Sequence, residues 1–203
     1  LSRIASAVHA STTLAIDAKA KQMKADGLDV VGFGTGEPDF DTPENIKLAA
    51  IAAINEGKTK YTPAAGIIPL RKAVAESLKR ELDLDYDFTQ IVIASGAKHN
   101  LYAALRTLVN PGDEVILPAP YWVSYDEMIA MVGGVSVIIN ATEAQNFKVT
   151  AAQLEAAVTE KTKAVILNNP SNPTGMLYSK EELEAMYEGK GYGDFKLAVG
   201  EAV

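Results

Sequence analysis

The sequence has 203 residues, enough for one large domain or two small ones. Its 48% hydrophobic and 22% charged residues are ordinary for a globular protein that buries a core. The 26 acidic and 19 basic residues give a net charge of −7, which argues against nucleic acid as a partner, because nucleic-acid-binding domains usually carry a basic patch. The lack of cysteine excludes disulfides and thiolate metal sites.

Metal and membrane binding are also not expected. Only His9 and His99 could offer imidazole to a metal ion, and they are far apart in the chain. The longest apolar stretches, such as residues 49–54, are too short to span a bilayer. The first residues lack a hydrophobic segment followed by a cleavage site, so the expected location is cytoplasmic.

In the first ninety residues the pattern predicts mainly helices. They cover residues 11–27 with a Ser-Thr-Thr cap, 42–57 with Thr42 as the cap and Pro43 at the first helical position, and 69–82. The second of these helices would carry Ile46, Ala50 and Ile54 on one face. A short strand is predicted over residues 30–33.

From residue 90 onwards, strands alternate with helices. The predicted strands cover residues 90–94, 114–117, 135–139 and 163–167, and the predicted helices cover 97–109, 121–131, 151–158 and 179–187. This alternation predicts an α/β fold with a mostly parallel sheet. Ligands of such sheets bind beyond the carboxyl ends of the strands, so the loops to inspect are 95–98, 118–122 and 168–175.

Two of these loops each allow two explanations. Between a strand and a helix, Gly96 would let a ligand approach the backbone, and free amides at the helix start favour an anion. A tight turn capped by Ser95 explains the same residues. After the next strand, Trp122 offers a flat ring on which a planar cofactor could stack, or an aromatic side chain packed between helix and sheet.

The sharpest pattern is Asn-Asn-Pro-Ser-Asn-Pro-Thr-Gly at residues 168–175. Two Asn-Pro steps so close together predict an extended, rigid loop at the end of a strand. Such a loop could hold the Asn172 amide against a ligand at little entropic cost. All of these are also ordinary turn residues, so a plain turn remains open.

This pattern resembles the signature of fold-type I, class I and II aminotransferases, which depend on pyridoxal 5'-phosphate (PLP). Further segments resemble the same family in the same order. They are Gly-Glu-Pro-Asp-Phe at 36–40, Lys-Tyr-Thr-Pro at 60–63 with Gly66, Leu70 and Arg71, Pro-Gly-Asp-Glu-Val at 111–115, and Pro-Tyr-Trp-Val-Ser-Tyr at 120–125. The last segment is as found in prokaryotic aspartate aminotransferases. The resemblance covers residues 1 to about 187 and concerns the N-terminal half of that family.

The resemblance implies a three-layer α/β/α large domain, here incomplete, in a homodimer that transfers an amino group between an aspartate-like L-amino acid and a 2-oxo acid. Residues 1–43 would form an N-terminal arm with part of a small domain and a substrate loop, and residues 44–187 part of the PLP-binding domain. The tail, 188–203, has three glycines within five residues and departs from the family. We therefore interpret the tail as a foreign junction. The alternative is a native glycine loop that opens a short helix.

Several residues would contact the cofactor phosphate. The resemblance implies that Ser95, Gly96 and Ala97 form the phosphate cup, with Lys98 beside it. Many relatives have Gly-Gly or Gly-Ser where this chain has Gly-Ala, so a backbone contact is retained and a hydroxyl contact is in doubt. Tyr61 would reach across the dimer interface to the phosphate of the other subunit.

Other residues would contact the cofactor ring and the substrate. The resemblance implies that Trp122 stacks on the pyridine ring and that Asn172 hydrogen-bonds its phenolic oxygen. Both would also contact the substrate, and Gly36 would offer its backbone to the substrate α-carboxylate.

Three expected parts of the family's machinery are not found after the Asn-Pro loop. They are the Asp that keeps the pyridine nitrogen protonated, the lysine that forms the Schiff base, and the late arginine that clamps the α-carboxylate. The only arginines, which are Arg3, Arg71, Arg80 and Arg106, belong to earlier elements. No catalytic residue is therefore identified, and the chain alone is expected to be inactive.

Other functions stay open. Ser95 and Lys98 spell Ser-x-x-Lys, which suggests Lys98 as the Schiff-base lysine or a penicillin-binding type of hydrolase, but the motif order and the missing partner motifs argue against these. A lyase or decarboxylase on the same fold is possible, as is an inactive remnant that binds an anion or pairs with a complementary chain. An uncovered sheet edge predicts poor solubility or self-association without such a partner.

Overall fold

The computed structural model describes residues 1–8, 12–34, 36 and 38–187. These residues form two compact units, one made of residues 12–94 and the other of residues 1–8 with 95–187. The predicted tail at 188–203 lies outside the described residues. Within the described ranges, no helix has the length and apolar composition needed to cross a membrane.

The described residues contain helices and a single small sheet. The helices are α1 (Arg3–Ala7), α2 (Thr12–Ala25), α3 (Glu44–Asn55), α4 (Ile68–Leu82), α5 (Ala97–Leu108), α6 (Ser124–Met131), α7 (Ala151–Ala157) and α8 (Lys180–Tyr187). The strands are β1 (Glu114–Ala119), β2 (Val135–Asn140) and β3 (Thr162–Val165). Every predicted helix is present, with bounds that differ by a few residues at most.

The sheet is parallel, and its strands lie in the order β2–β1–β3. The pairing of β1 with β2 runs from Glu114 opposite Val135 to Ala119 opposite Asn140, so these two strands end level with each other. The three strands predicted at 114–117, 135–139 and 163–167 are confirmed to within two residues.

Two apolar cores lie on opposite faces of this sheet, because side chains alternate along a strand. Val115 and Leu117 belong to the core formed with α5 and α6, which contains Leu105 and Ile129. Ile116 belongs to the core formed with α7 and α8. Helices therefore cover both faces of the parallel sheet, which confirms the predicted three-layer α/β/α fold.

Polar caps fix the starts of the helices on the second face. Thr150 and Gln153 form a reciprocal capping box at the start of α7. At α8, the Ser179 N–H donates to Glu182 Oε2 at 2.7 Å, and the Glu182 N–H donates to Ser179 Oγ at 3.2 Å. Ser179 and Glu182 therefore form a reciprocal capping box at the start of α8.

In the unit of residues 12–94, α3 begins one residue later than predicted, and its apolar face is exposed. The cap residue is Pro43, and no side chain accepts a hydrogen bond there, so the predicted Thr42 cap is wrong by one residue. The apolar side chains Ile46 and Ile54 are present on the helix, but α3 buries none of its residues. Among the described residues, no other element therefore covers the apolar face of α3.

Both strands predicted in this unit are wrong. Residues 30–33 are irregular, and Val31 and Phe33 are exposed. Gln90 is drawn into a 3-10 turn because it forms a capping box with Asp87. Among the described residues, the backbone of 91–94 makes one hydrogen bond to a distant segment, from the Ile93 N–H to the Ala65 carbonyl at 3.0 Å. A β-branched run without a ladder of partners is not a strand.

Candidate functional site

The start of α5 lies at the carboxyl edge of the sheet. Residues 109–113 alone link the end of α5 to the start of β1, and both elements pack into one core. The helix must therefore run back along the sheet, which places its first turn near the carboxyl end of β1. In parallel α/β sheets this edge is the one that binds ligands.

Gly96 caps α5 in a backbone conformation that only glycine adopts readily. Its φ is 81° and its ψ is 164°, and an added Cβ would meet no atom within 4 Å. In the part of the chain that the structure describes, no side chain caps the helix, so the first N–H groups of α5 lack the usual acceptor there. Ser95, Ala97 and Lys98 are also exposed. An uncapped helix start with open space in front suits an anion, since the helix dipole is positive there.

The predicted stacking ring lies beside this helix start. The Nζ atom of Lys98 is 4.5 Å from the centroid of the Trp122 ring. The Trp122 ring in turn meets the ring of Tyr125 edge-on, with centroids 5.4 Å apart and an interplanar angle of 89°. Because Tyr125 is buried in the core, it fixes the position of Trp122.

Trp122 lies in the loop that follows β1 and is not part of a helix. The predicted helix over 121–131 begins at Ser124 in the structure, so Tyr121 and Trp122 remain in the loop after β1. Both pack partly against the core beneath. Burial, with a smaller contribution from Asp126, raises the pKa of Tyr121, which keeps its phenol neutral.

The Asn-Pro loop closes on itself, so the predicted extended conformation is wrong. The Ser171 N–H donates to the Met176 carbonyl at 2.9 Å, and the Gly175 N–H donates to the Ser171 carbonyl at 2.7 Å. Asn168 Oδ1 accepts the Asn172 N–H at 2.7 Å. Asparagine side chains readily form such turns with nearby backbone groups.

The three asparagines of the loop differ in how their side chains are used. Asn168 accepts the Asn172 N–H, and Asn169 accepts the Tyr178 N–H at 2.9 Å. Within the part of the chain that the structure describes, the Asn172 side chain forms no hydrogen bond and is exposed. Among the described residues, Asn172 is thus the asparagine of this loop whose amide oxygen and nitrogen are both available to a ligand, whereas Asn168 and Asn169 use their oxygen within the loop.

A narrow cavity of about 20 Å³ lies between the loops that follow β1 and β3. Its lining includes Tyr121 and Tyr125 from one side and Asn168, Asn172 and Tyr178 from the other. The cavity holds about one water molecule. The loop after β3 therefore meets the aromatic side chains that flank Trp122.

Tyr178 is a residue of this site that the sequence patterns above do not single out. Its hydroxyl accepts the buried Val149 N–H at 2.9 Å, and burial raises the pKa of this phenol. A signal for it exists, because Tyr178 directly precedes the Ser179 cap of α8. A hydrophobic residue at that position often packs against the first turns of the helix, and Tyr178 shares a core with Leu183.

An ion pair holds α8 beside the same cavity. Lys148 Nζ donates to Glu182 Oε1 at 2.6 Å and Oε2 at 2.8 Å, and it lies 5.8 Å from the Tyr178 ring centroid. The hydrogen bond from Lys148, with a smaller contribution from the Ser179 N–H, lowers the pKa of Glu182. The carboxylate therefore stays charged in the folded protein at neutral pH.

The remaining predicted site residues, Gly36 and Tyr61, belong to the unit of residues 12–94. The Tyr61 side chain is fully exposed, and an added Cβ at Gly36 would meet no atom within 4 Å. Both positions are thus accessible from solvent. Among the described residues, no group of three or more His, Cys, Asp or Glu side chains is placed to hold a metal ion.

A parallel sheet with helices on both faces defines an α/β protein of three layers. Residues 28–190 match the family model for aminotransferase class I and II, and the chain belongs to this family. Its members with this fold are PLP-dependent enzymes. The predicted family is therefore confirmed.

Similar proteins include several bacterial aminotransferases. Aspartate aminotransferase from Bacillus sp. (strain YM-2) is 58% identical over 174 residues, which are 86% of this chain and 44% of the relative. A probable aspartate/prephenate aminotransferase from Rhizobium leguminosarum bv. phaseoli is 52% identical over 208 residues, covering 94% of this chain and 52% of the relative.

The solved structures agree with this. Aspartate aminotransferase from Thermus thermophilus with maleate matches with a TM-score of 0.92 and 43% identity, over 96% of this chain and 51% of that chain. The chain thus spans about half the length of the curated relatives and solved structures it matches.

Proposed function

We propose that the protein transfers an amino group between an aspartate-like L-amino acid and a 2-oxo acid, with PLP as cofactor. The proposal is supported by its family and by relatives that carry the names aspartate and aspartate/prephenate aminotransferase. When bound, the cofactor supplies an electron sink for the negative charge that develops on the substrate's α-carbon. The protein must then hold a planar ring, hold a dianionic phosphate and orient the substrate.

The observation that carries the proposal is the contact of Lys98 with Trp122, 4.5 Å from ammonium to ring centroid. PLP has a phosphate on one side of a flat ring. An uncapped helix start at Gly96 beside a fixed aromatic ring offers both an anion site and a stacking face within a few ångströms. We assign the phosphate to the backbone N–H groups of the first turn of α5 and to Ser95, with Lys98 adding positive charge.

The remaining roles are those that the family resemblance implies, and the exposure of Asn172, Gly36 and Tyr61 is compatible with them. Trp122 would stack on the pyridine ring. Asn172, whose amide is not used within the loop, would donate to the ring's phenolic oxygen and help to place the substrate carboxylate. Gly36 would offer its backbone to the substrate, and Tyr61 would reach the cofactor phosphate of a second subunit in a homodimer. Ala97 can contribute only its backbone, because it lacks a hydroxyl.

We further propose a division of labour along the chain. Residues 44–187 would form part of the PLP-binding domain and residues 1–43 an arm and substrate loop. The lysine that the family uses to hold the cofactor covalently would come from residues outside this sequence. Residues 1–203 alone would then bind PLP weakly and transfer no amino group.

The test compares the protein expressed from its whole gene with a chain limited to residues 1–203. We expect the first to convert L-aspartate and 2-oxoglutarate into oxaloacetate and L-glutamate, and the second to lack this activity. Asn172→Leu in the whole protein should lower activity, whereas Asn45→Leu, at an exposed position of α3, should not.

Two results would count against the proposal. Carbon dioxide release or elimination from L-aspartate by the whole protein, without amino transfer, would favour a lyase or decarboxylase. Amino transfer by residues 1–203, with PLP fixed to Lys98 by borohydride reduction, would overturn the division of labour.

A further inference from the structure

The segment between Pro170 and Pro173 has two backbone N–H groups, because proline has none. The Ser171 N–H donates to the Met176 carbonyl at 2.9 Å, and the Asn172 N–H donates to Asn168 Oδ1 at 2.7 Å. Both groups are therefore committed. The bond to Asn168 holds the backbone of Asn172, the residue whose side-chain amide is available to a ligand.

The Asn168 side chain is held close to the rigid central strand of the sheet. The Ile166 N–H donates to the Ile116 carbonyl at 3.0 Å, so the chain is still tied to the central strand two residues before Asn168. Ile116 is fully buried, and Ile166 is buried with it. Asn168 itself is half-buried and lines the same cavity as Asn172. One short side chain thus joins the rigid sheet to the tip of the loop.

Asn169 has a different use, although it is the neighbouring asparagine. Its Oδ1 accepts the Tyr178 N–H and so ties the base of the loop to the segment that enters α8. This bond closes the loop from outside and does not contact Asn172. Of these two asparagines, Asn168 therefore binds the tip of the loop and Asn169 binds its base.

We propose that Asn168 is a positioning residue for Asn172: its side-chain oxygen holds the Asn172 backbone so that the Asn172 amide faces the cofactor ring. The inference rests on the proposed function for the identity of the ligand. A positioning role predicts a larger effect on ligand affinity than on stability, because the Asn168–Asn172 bond lies at an exposed loop and joins residues close in sequence.

The first experiment measures PLP affinity by equilibrium titration in the protein expressed from its whole gene. Asn168→Leu keeps the side-chain size and removes the acceptor, and it should weaken PLP binding roughly three- to tenfold, the effect of about one net hydrogen bond. Asn168→Asp retains an oxygen at the same position and should restore affinity to within about twofold of the wild type.

The decisive comparison is a double-mutant cycle with Asn172→Leu. If Asn168 acts through Asn172, then Asn168→Leu should have almost no further effect on affinity once the Asn172 amide is gone. A full additional loss in that background, or unchanged affinity in the single variant, would overturn the proposal. Should Asn168→Leu fail to fold, Asn168→Ala is judged by the same criteria.

A second measurement does not depend on the cofactor. In PLP-free protein, hydrogen exchange of the Asn172 backbone N–H should be faster in Asn168→Leu than in the wild type. Exchange of the Ser171 backbone N–H should stay the same. Equal exchange at Asn172 would contradict the positioning role. If the wild type binds no PLP, the proposed function fails by itself, and the exchange result still decides whether Asn168 holds the loop.

Discussion

The ammonium group of Lys98 lies 4.5 Å from the centroid of the Trp122 ring, although the two residues sit on different elements. Lys98 belongs to the first turn of α5, and Trp122 follows β1. A cation near an aromatic face is attracted to the negative charge of the ring face. The contact therefore joins the start of α5 to the loop that carries Trp122.

Replacement of Lys98 by Gln should weaken PLP binding about two- to fivefold, the range of one exposed charge pair. The loss should shrink as salt is raised, because salt screens exposed charges. Titration of PLP at low and high ionic strength checks this. Lys161→Gln is the matched control, since Lys161 is exposed and precedes β3 at the opposite edge of the sheet. An equal loss in that variant would mean that the effect reflects net charge alone.

Gly96→Ala should lower both stability and phosphate affinity. The φ of 81° is strained for alanine, which costs about 1–3 kcal/mol, while the added Cβ meets no atom within 4 Å. Gly112→Ala is a close control, because Gly112 has a φ of 88° and equally open surroundings in the turn before β1. Urea unfolding should show similar costs for both variants. Titration with inorganic phosphate should show weaker binding for Gly96→Ala only.

Tyr178→Phe should destabilise the fold by about 1–3 kcal/mol, because it leaves the buried Val149 N–H without its acceptor. Tyr187→Phe on α8 removes a hydroxyl from a side chain that is 61% exposed and should change stability little. Denaturant titration of the two variants measures the difference. Equal stabilities would show that the Tyr178 hydroxyl has no structural role.

The ion pair of Lys148 with Glu182 should make stability depend on pH. The folded pKa of Glu182 is lowered, chiefly by the hydrogen bond from Lys148. Its contribution is therefore fully present above the unfolded pKa of about 4.3 and is lost as the pH falls through the lower, folded value. The stability difference between wild type and Glu182→Gln should thus shrink from pH 6 to pH 3. In a Lys148→Met background most of that change should disappear, and a persistent pH dependence there would point to another donor.

The sequence predicts the elements best where local signals and packing agree. The strand at 114–117 is a largely buried run, the strand at 135–139 is partly exposed, and each has a neighbour to pair with. The Ser179 capping box is purely local. The run at 90–94 has the same composition, but a strand also needs a partner, and the Asp87 cap takes Gln90 away. Composition alone does not reveal either condition.

The candidate site follows the same rule. Gly96 and Trp122 could be placed at one edge of the sheet from the order of the elements, since topology brings those loops together. The side-chain bonds within the Asn-Pro loop could not, because each asparagine has several backbone partners within reach. The fold of the loop decides that Asn168 and Asn169 use their side-chain oxygens within the loop, while Asn172 does not.

Because side chains alternate along β1, this one strand contributes to the apolar cores on both faces of the sheet. Val115 and Leu117 face α5 and α6, while Ile116 faces α7 and α8. Insertion or deletion of a single residue in this strand would send each side chain to the opposite core, so neither face can be altered without the other. The loop that bears Trp122 leaves from the end of the same strand, and any such slip would also displace that ring from the helix start it adjoins.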